Sequence, residues 1–301
     1  MRKPDFFIVG APKSGTSAMY DYLKQHPQVF MPELKEPHFF GADHHRINHR
    51  PRTMEQYLAL FAAAGSEQRV GEASTSYLHS ELAAGEIKQF SPRARILIML
   101  RNPVEVMYSY HSTNLAEGFE TIPDFEKALV AEEKRRRGLR VPAVNSGILE
   151  NLFYRDVVRY ARQVEKYLHA FGAENVLVLI YDDFKRGPAG VYRDTLRFLG
   201  VDPTFQPEFR VVNPNRRVRS PRLHAFIHNP PELIRRLRRA VIPDGGITDG
   251  IARRLHHLNL RHATRPPMKP ELKKRLKSEL APEIQQLSQL LGRDLSHWCS
   301  P

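Results

Sequence analysis

The sequence predicts an α/β fold, a central parallel sheet flanked by helices with a helical, basic C-terminal extension. Three observations predict it. The runs FFIVG, RILIML and NVLVLIY are apolar throughout rather than alternating, which marks strands covered on both faces. Helix-forming sequence follows each run, the order that a parallel sheet requires. From residue 213 onward the strand signals stop, and the chain becomes basic and proline-punctuated. Hydrophobic residues make up 41% of the 301 and charged residues 26%, a balance that supports a buried core and argues against disorder.

The elements follow in order. Residues 5–10 read as a buried strand, and Gly10, Pro12 and Gly15 mark a loop after it. A helix over 16–26 places Ala18, Met19, Tyr22 and Leu23 on one face and stops before Pro27. A second helix, 53–64, has Thr53 as N-cap and Gln56 three residues later as its capping-box partner. Residues 69–73 are a weaker strand and 95–100 a strong one, with a helix opening at Pro103, a favourable first helical position. A helix over 152–171, a strand over 175–181 and a helix over 191–199 ending at Gly200 complete the core. In the extension, Leu272, Leu276, Leu280, Ile284, Leu287 and Leu291 recur at helical spacing over 271–291, with Gly292 as the stop. One domain over 1–301, divided into an α/β core (1–212) and a helical extension without strands (213–301), is the simplest organisation.

The charge is localised. Residues 216–277 carry 17 Lys and Arg against four acids, an excess equal to the formal net charge of +13 for the whole chain. Such a block suits an anionic partner, whether nucleotide phosphate, acidic polymer, nucleic acid or membrane surface. The alternative is a plain solvated helix face, which the RRLRR run at 235–239 fits. Cys299 is the one cysteine, which excludes an intrachain disulfide and any cysteine-built metal cluster and fits a reducing compartment. No apolar run approaches the ~20 residues that span a bilayer. The start MRKPDFFIVG lacks a signal-peptide core and cleavage site, so a cytoplasmic location is expected.

Two loops carry the chemistry. GAPKSGTS (10–17) nearly matches the phosphate-binding pattern GxxxxGK[ST], but the lysine stands at Lys13 and Thr16 occupies its usual place. The glycines and helix N-terminus still offer amide donors to an anion, with hydroxyls from Thr16 and Ser17. Lys13, inside the loop, is placed to neutralise a leaving group. The second loop follows RILIML: Arg101 emerges at the carboxyl end of a strand, where α/β folds bind ligands, and suits bidentate phosphate capture. Ser109 lies about 9 Å further along the helix from Pro103. Two anion sites at neighbouring strand ends imply a nucleotide with two separated phosphates. An NTPase or nucleotide kinase is a second reading; against it stand the displaced lysine and an arginine where a magnesium carboxylate belongs. A non-catalytic polyanion binder is the third reading, although no nucleic-acid motif supports it.

PKSGTS after a strand, then RNPVEVMYSYH with Arg and Ser eight apart, resembles the sulfotransferases that use 3′-phosphoadenosine 5′-phosphosulfate (PAPS). KEPHFF (35–40) resembles the Golgi glycan enzymes, the heparan-sulfate type above all, and GEASTSY (71–77) resembles their second-strand segment. LLGRDLSHW (290–298) is similar to the end of bacterial members. The resemblance implies a P-loop-like sheet and a transfer of sulfuryl from PAPS to a hydroxyl, an amine being the second choice, with a carbohydrate or glycolipid as acceptor. It implies that Lys13 and the backbone of Ser14, Gly15, Thr16, Ser17 and Ala18 hold the 5′-phosphosulfate. It implies that Arg101 and Ser109 hold the 3′-phosphate, and that Glu36 is the base, with His38 in reserve. Arg265, before Pro266 and Pro267, is the candidate for the family's basic 3′-phosphate loop. The chain departs from the glycan enzymes at Gly41, where they carry Asp, and at Ala73, where they carry Lys.

The chemistry fits these residues. A carboxylate can take the acceptor proton if burial lifts its pKa, and Pro37 is expected to hold Glu36 in an extended backbone that aims it. Lys13 and the helix-terminal amides meet charge on the bridging oxygen. No metal is expected: the sulfuryl group carries less charge than a phosphoryl group, and the His pairs at 44–45 and 256–257 lack ligand spacing. Phe39, Phe40 and Tyr77 are candidates for an acceptor wall or for core.

Overall fold

The first strand, β1 (Phe6–Gly10), is wholly buried and pairs in parallel with two neighbours, as a run of apolar residues covered on both faces must. The structure, a computed structural model, describes residues 2–43, 51–139, 149–210, 216–218, 259–262 and 265–300. They fall into two compact units: Met1–Tyr108 with Phe153–Asn213 and Met268–Pro301, and Ser109–Leu152 with Pro214–Pro267. The core–extension boundary expected at 212–213 lies outside the described residues, as do the two His pairs and most of the basic block.

The first unit is built on a five-stranded sheet of order β2-β3-β1-β4-β5, with β2 (Val29–Phe30), β3 (Arg69–Ala73), β4 (Arg95–Leu100) and β5 (Val176–Ile180), every pair parallel. Gly71 makes the centre possible: a Cβ there would lie 2.1 Å from the Phe6 ring. After β1 comes α1 (Thr16–Lys24), and α2 (Met54–Ala59) precedes β3. Thr53 caps α2 as expected, accepting from the Gln56 amide at 3.2 Å, while Gln56 Oε1 accepts from the Arg52 amide at 2.8 Å. The helix ends before residue 64 because its continuation bonds i to i−3, a tighter 3₁₀-type winding.

Next come α3 (Ala83–Phe90) and α4 (Pro103–Ala116), the latter crossing from the first unit to the second. In the second unit α5 (Phe125–Arg136) is capped by Asp124. The single helix expected over 152–171 is instead a 3₁₀ turn (Leu149–Leu152), α6 (Tyr154–Val157) and α7 (Tyr160–Phe171). Side chains satisfy the break: Gln163 donates to the Asp156 carbonyl at 2.7 Å, and Glu283 accepts from the Ala161 amide at 2.7 Å. Two further helices, α8 (Tyr181–Arg186) and α9 (Pro188–Leu199), follow β5, and Gly200 closes α9 at φ 68°. The long α10 (Pro270–Leu291) buries Leu272, Leu276, Leu280, Ile284 and Leu287 and packs on α7.

The extension also contains strands, which corrects the expectation of helix alone. β6 (Arg216–Val218) pairs antiparallel with β7 (Leu260–His262). Three-residue strands of sequence RRV and LRH are too short and too charged to show a period of two.

The second unit encloses a fully buried ion pair, Arg135 Nη2 to Glu120 Oε1 at 2.6 Å, and that oxygen also accepts from the amides of Thr121 and Ile122. Removing one partner strands a charge in the core. Glu120→Ala or Arg135→Ala is therefore expected to cost about 3–5 kcal/mol in denaturant unfolding, and the double change Glu120→Leu with Arg135→Met markedly less. A double variant no better than the singles would contradict this account.

Candidate active site

Three residues other than glycine have a positive φ among those described: Lys13 (63°), Glu36 (60°) and His38 (47°). These are the three expected to do chemistry. The left-handed region is uncommon for such side chains, and a residue stays there only when its surroundings hold it.

Lys13 sits in the β1–α1 loop. Gly15, the N-cap of α1, has φ 93° and receives the Ala18 and Met19 amides, 3.0 and 3.1 Å from its carbonyl. With the Ala18 and Met19 amides spent on that carbonyl, the Thr16 and Ser17 amides, which have no acceptor inside the helix, are the donors α1 offers to the loop. Ser14 and Thr16 are buried in it, and Ser17 and Ala18 half-buried. From the end of β4, Arg101 reaches the same loop: Nη1 donates to the Lys13 carbonyl at 3.4 Å, and the guanidinium lies 4.6 Å from the centre of the Tyr181 ring. Its Nε and Nη2 grip Glu105 Oε2 at 3.0 and 2.5 Å, so a carboxylate holds the fork that a phosphate would take. Ser109 opens the second unit, where Arg265 Nη2 donates to its Oγ at 2.8 Å. The structure thus brings together the two residues assigned separately by resemblance.

Glu36 and His38 lie on the loop after β2 and are tied to the end of β3. The Glu36 amide donates to the Ala73 carbonyl at 2.9 Å and the His38 amide to Ser74 Oγ at 3.0 Å. These bonds override the preference of a pre-proline residue, so Glu36 is left-handed and not extended as expected. Its carboxylate meets Lys35 Nζ at 2.5 Å and His38 Nε2 at 3.2 Å, and His38 Nδ1 lies 2.6 Å from Ser76 Oγ. Burial pushes the Glu36 carboxyl up, but the Lys35 charge and the His38 hydrogen bond outweigh it and hold it well below the usual carboxylate range. The condition set for a carboxylate acting alone, that burial lift its pKa, is therefore not met. Carboxylate and imidazole form one unit, with the imidazole nitrogen beyond it facing a hydroxyl.

Phe40 and Tyr77 are core, and Phe39 stacks on Tyr57 at 4.4 Å. Sequence reasoning missed several neighbours. Tyr181 opens α8 where β5 ends, and only its place at a strand end hints at a role. Asn102 caps α4 through the Val104 amide, and its Nδ2 donates to the Trp298 carbonyl at 3.1 Å. Trp298, 1% exposed, donates from Nε1 to Asp182 Oδ2 at 2.7 Å. The C-terminal turn thereby braces the start of α4 and the start of α8 together. Among the described residues no group of His, Cys, Asp or Glu is arranged to hold a metal ion, and no helix is long and apolar enough to cross a membrane.

The Sulfotransferase domain family matches residues 3–220. Carbohydrate sulfotransferase 15 of Rattus norvegicus is 29% identical, covering 66% of this chain and 44% of that protein. The bifunctional heparan sulfate N-deacetylase/N-sulfotransferase 3 of Homo sapiens is 24% identical, covering 68% of this chain and 23% of that one. The chain therefore spans less than half the length of these relatives. The crystal structure of a sulfotransferase from Alicyclobacillus acidocaldarius superposes with a TM-score of 0.75 at 30% identity, over 100% of both chains.

The depressed Glu36 pKa makes a stability prediction. Its ion pairs contribute fully above the ordinary carboxyl value of 4.5 and are lost as pH falls toward the lower folded-state value. On acidification below pH 4.5, the melting temperature of the wild type should therefore fall more steeply than that of Glu36→Gln. Parallel curves would contradict the ion-pair assignment.

Proposed function

The chain belongs to the sulfotransferase family, and on that premise we propose that it moves the sulfuryl group of PAPS to a hydroxyl of a carbohydrate or glycolipid. The observation that carries the reading is the trio of left-handed residues: a lysine on the phosphate loop, and a glutamate and a histidine on the loop tied to β3.

In this reaction the acceptor oxygen attacks sulfur in line, the bond from sulfur to the bridging phosphate oxygen breaks, and 3′-phosphoadenosine 5′-phosphate (PAP) leaves. Lys13 and the α1 amides meet the negative charge on the leaving phosphate. The Glu36–His38 unit receives the acceptor proton; a carboxylate held low is a weak base alone, and the imidazole hydrogen-bonded to it shares the task. Arg101 holds the 3′-phosphate once Glu105 releases it. Within the second unit, Ser109 and Arg265 are assigned to phosphate binding by resemblance, and their mutual hydrogen bond supports treating them as a pair.

The printed names of the relatives support a carbohydrate acceptor. The departures from the glycan enzymes bear on which one. Gly41 has φ 81°, a Cβ there would lie 2.9 Å from Ser80 Oγ, and its amide is held by Glu86 at 2.6 Å. An aspartate cannot replace it without moving this loop, so acceptor contacts in this chain differ from theirs. A cytoplasmic location is part of the proposal, supported by the single cysteine.

Titration with PAP in EDTA should stabilise the protein by about 2.7 kcal/mol at 100 times the dissociation constant, read by thermal unfolding, with little effect from ATP. Stabilisation by magnesium ATP alone would favour the kinase reading instead. Lys13→Ala and Arg101→Ala should each weaken PAP binding, and Glu36→Gln should lose turnover while keeping PAP affinity. Full turnover in Glu36→Gln would move the base to His38.

A further inference from the structure

Glu72, one residue before the end of β3, is wholly buried, yet it lies beneath the loop of Glu36 and His38. Its Oε2 accepts from the hydroxyls of Tyr57 and Tyr77, each at 3.0 Å. The Tyr77 oxygen in turn accepts from the amides of Phe39 and Phe40 at 2.9 and 3.2 Å. With the Glu36 amide on Ala73, the His38 amide on Ser74 and the Gly41 amide on Glu86, every backbone N–H from Glu36 to Gly41 is held, Pro37 having none. The Tyr57 ring, bonded to the same carboxylate, stacks under Phe39.

The direction of this chain matters. A tyrosine hydroxyl has one proton. Because Tyr77 gives its proton to Glu72, its lone pairs are open to both loop amides. A neutral partner in place of the carboxylate lets the hydroxyl turn, and the two amides then face a proton. We propose that Glu72 is the positioning residue of the catalytic loop, its buried carboxylate orienting the hydrogen-bond chain that holds Glu36 and His38 in their left-handed conformations. The catalytic part of this inference rests on the function proposed above; the loop geometry does not.

The proposal makes the loop sensitive to pH. Burial raises the Glu72 carboxyl, bonds from the Ser74, Tyr57 and Tyr77 hydroxyls lower it, and the charge of Glu36 raises it, to about 7 in all. The groups that face it are Tyr57 from α2, Ser74 and Tyr77 from the segment after β3, Glu36 from the catalytic loop and Tyr167 from α7. Below about pH 7 Glu72 takes up a proton and no longer accepts from both tyrosines at full strength.

The test compares wild type, Glu72→Gln and Tyr77→Phe in three measurements: PAP affinity by calorimetry, the pH profile of kcat, and hydrogen exchange of the Phe39 and Phe40 amides. Glu72→Gln should keep PAP affinity, lose kcat roughly 10²-fold, as misplaced catalytic groups do, and lose the rise in kcat near pH 7. Both variants should exchange the two amides faster. Wild-type kcat and an unshifted profile in Glu72→Gln would overturn the proposal. If that variant does not fold, Tyr77→Phe decides: unchanged exchange and unchanged kcat would overturn it. The exchange measurement needs no turnover, so a wild type that neither binds PAP nor transfers sulfuryl would sink the proposed function while the positioning claim stands or falls on the amides alone.

Discussion

The hydrogen bonds that continue β1 beyond its regular pairing organise both edges of the site. On one side the Ala11 amide reaches the Met99 carbonyl at 2.7 Å, carrying the ladder with β4 into the phosphate loop. On the other, the amides of Ser74 and Leu78 reach the carbonyls of Ile8 and Val9 at 3.1 and 2.8 Å, fixing the segment on which the Glu36 loop rests. One buried strand thereby sets the positions of the lysine loop, the arginine after β4 and the carboxylate loop. Slippage of β1 by one residue would exchange the side chains packed on its two covered faces and displace the anchors of all three.

Left-handed backbone at Lys13, Glu36 and His38 costs of order 1–3 kcal/mol each. The surrounding bonds offset that cost, and they are concentrated on the loops that need them: two backbone anchors and the Glu72–tyrosine chain for the carboxylate loop, the Arg101 contact for the lysine loop. The electrostatics share this economy. Glu105 on Arg101, and Lys35 with His38 on Glu36, keep these two charges paired, so neither stands as a bare ion in the loops.

Much of this was legible in the residues. Continuous Val, Ile and Leu runs gave the strands, GAPKSGTS the phosphate loop and Arg101 its place at a strand end, since local chemistry determines each. The backbone of Glu36 departs from the extended form because the local effect of Pro37 loses to distant hydrogen bonds, Glu36 to Ala73 and His38 to Ser74, which span 37 and 36 residues. The break between α6 and α7 was hidden for the same reason: Glu283, 122 residues later, caps it. Glu72 gave no signal, for a carboxylate in a strand reads as solvent-facing until its neighbours prove to be tyrosines. Ser109 and Arg265, 156 residues apart, are each assigned by resemblance, and the hydrogen bond between them shows only in the structure.

The bond from Asn102 to Trp298 spans 196 residues. During synthesis the sheet can assemble long before Trp298 leaves the ribosome, but the brace on the start of α4 cannot. A nascent chain that stops before Arg293 has the strands of the five-stranded sheet and lacks this clasp, along with the Arg293–Asp183 ion pair at 2.6 Å. Until residues 293–298 are made, the starts of α4 and α8 lack the contacts that join them, and a segment short of such contacts opens more readily than the rest of the sheet.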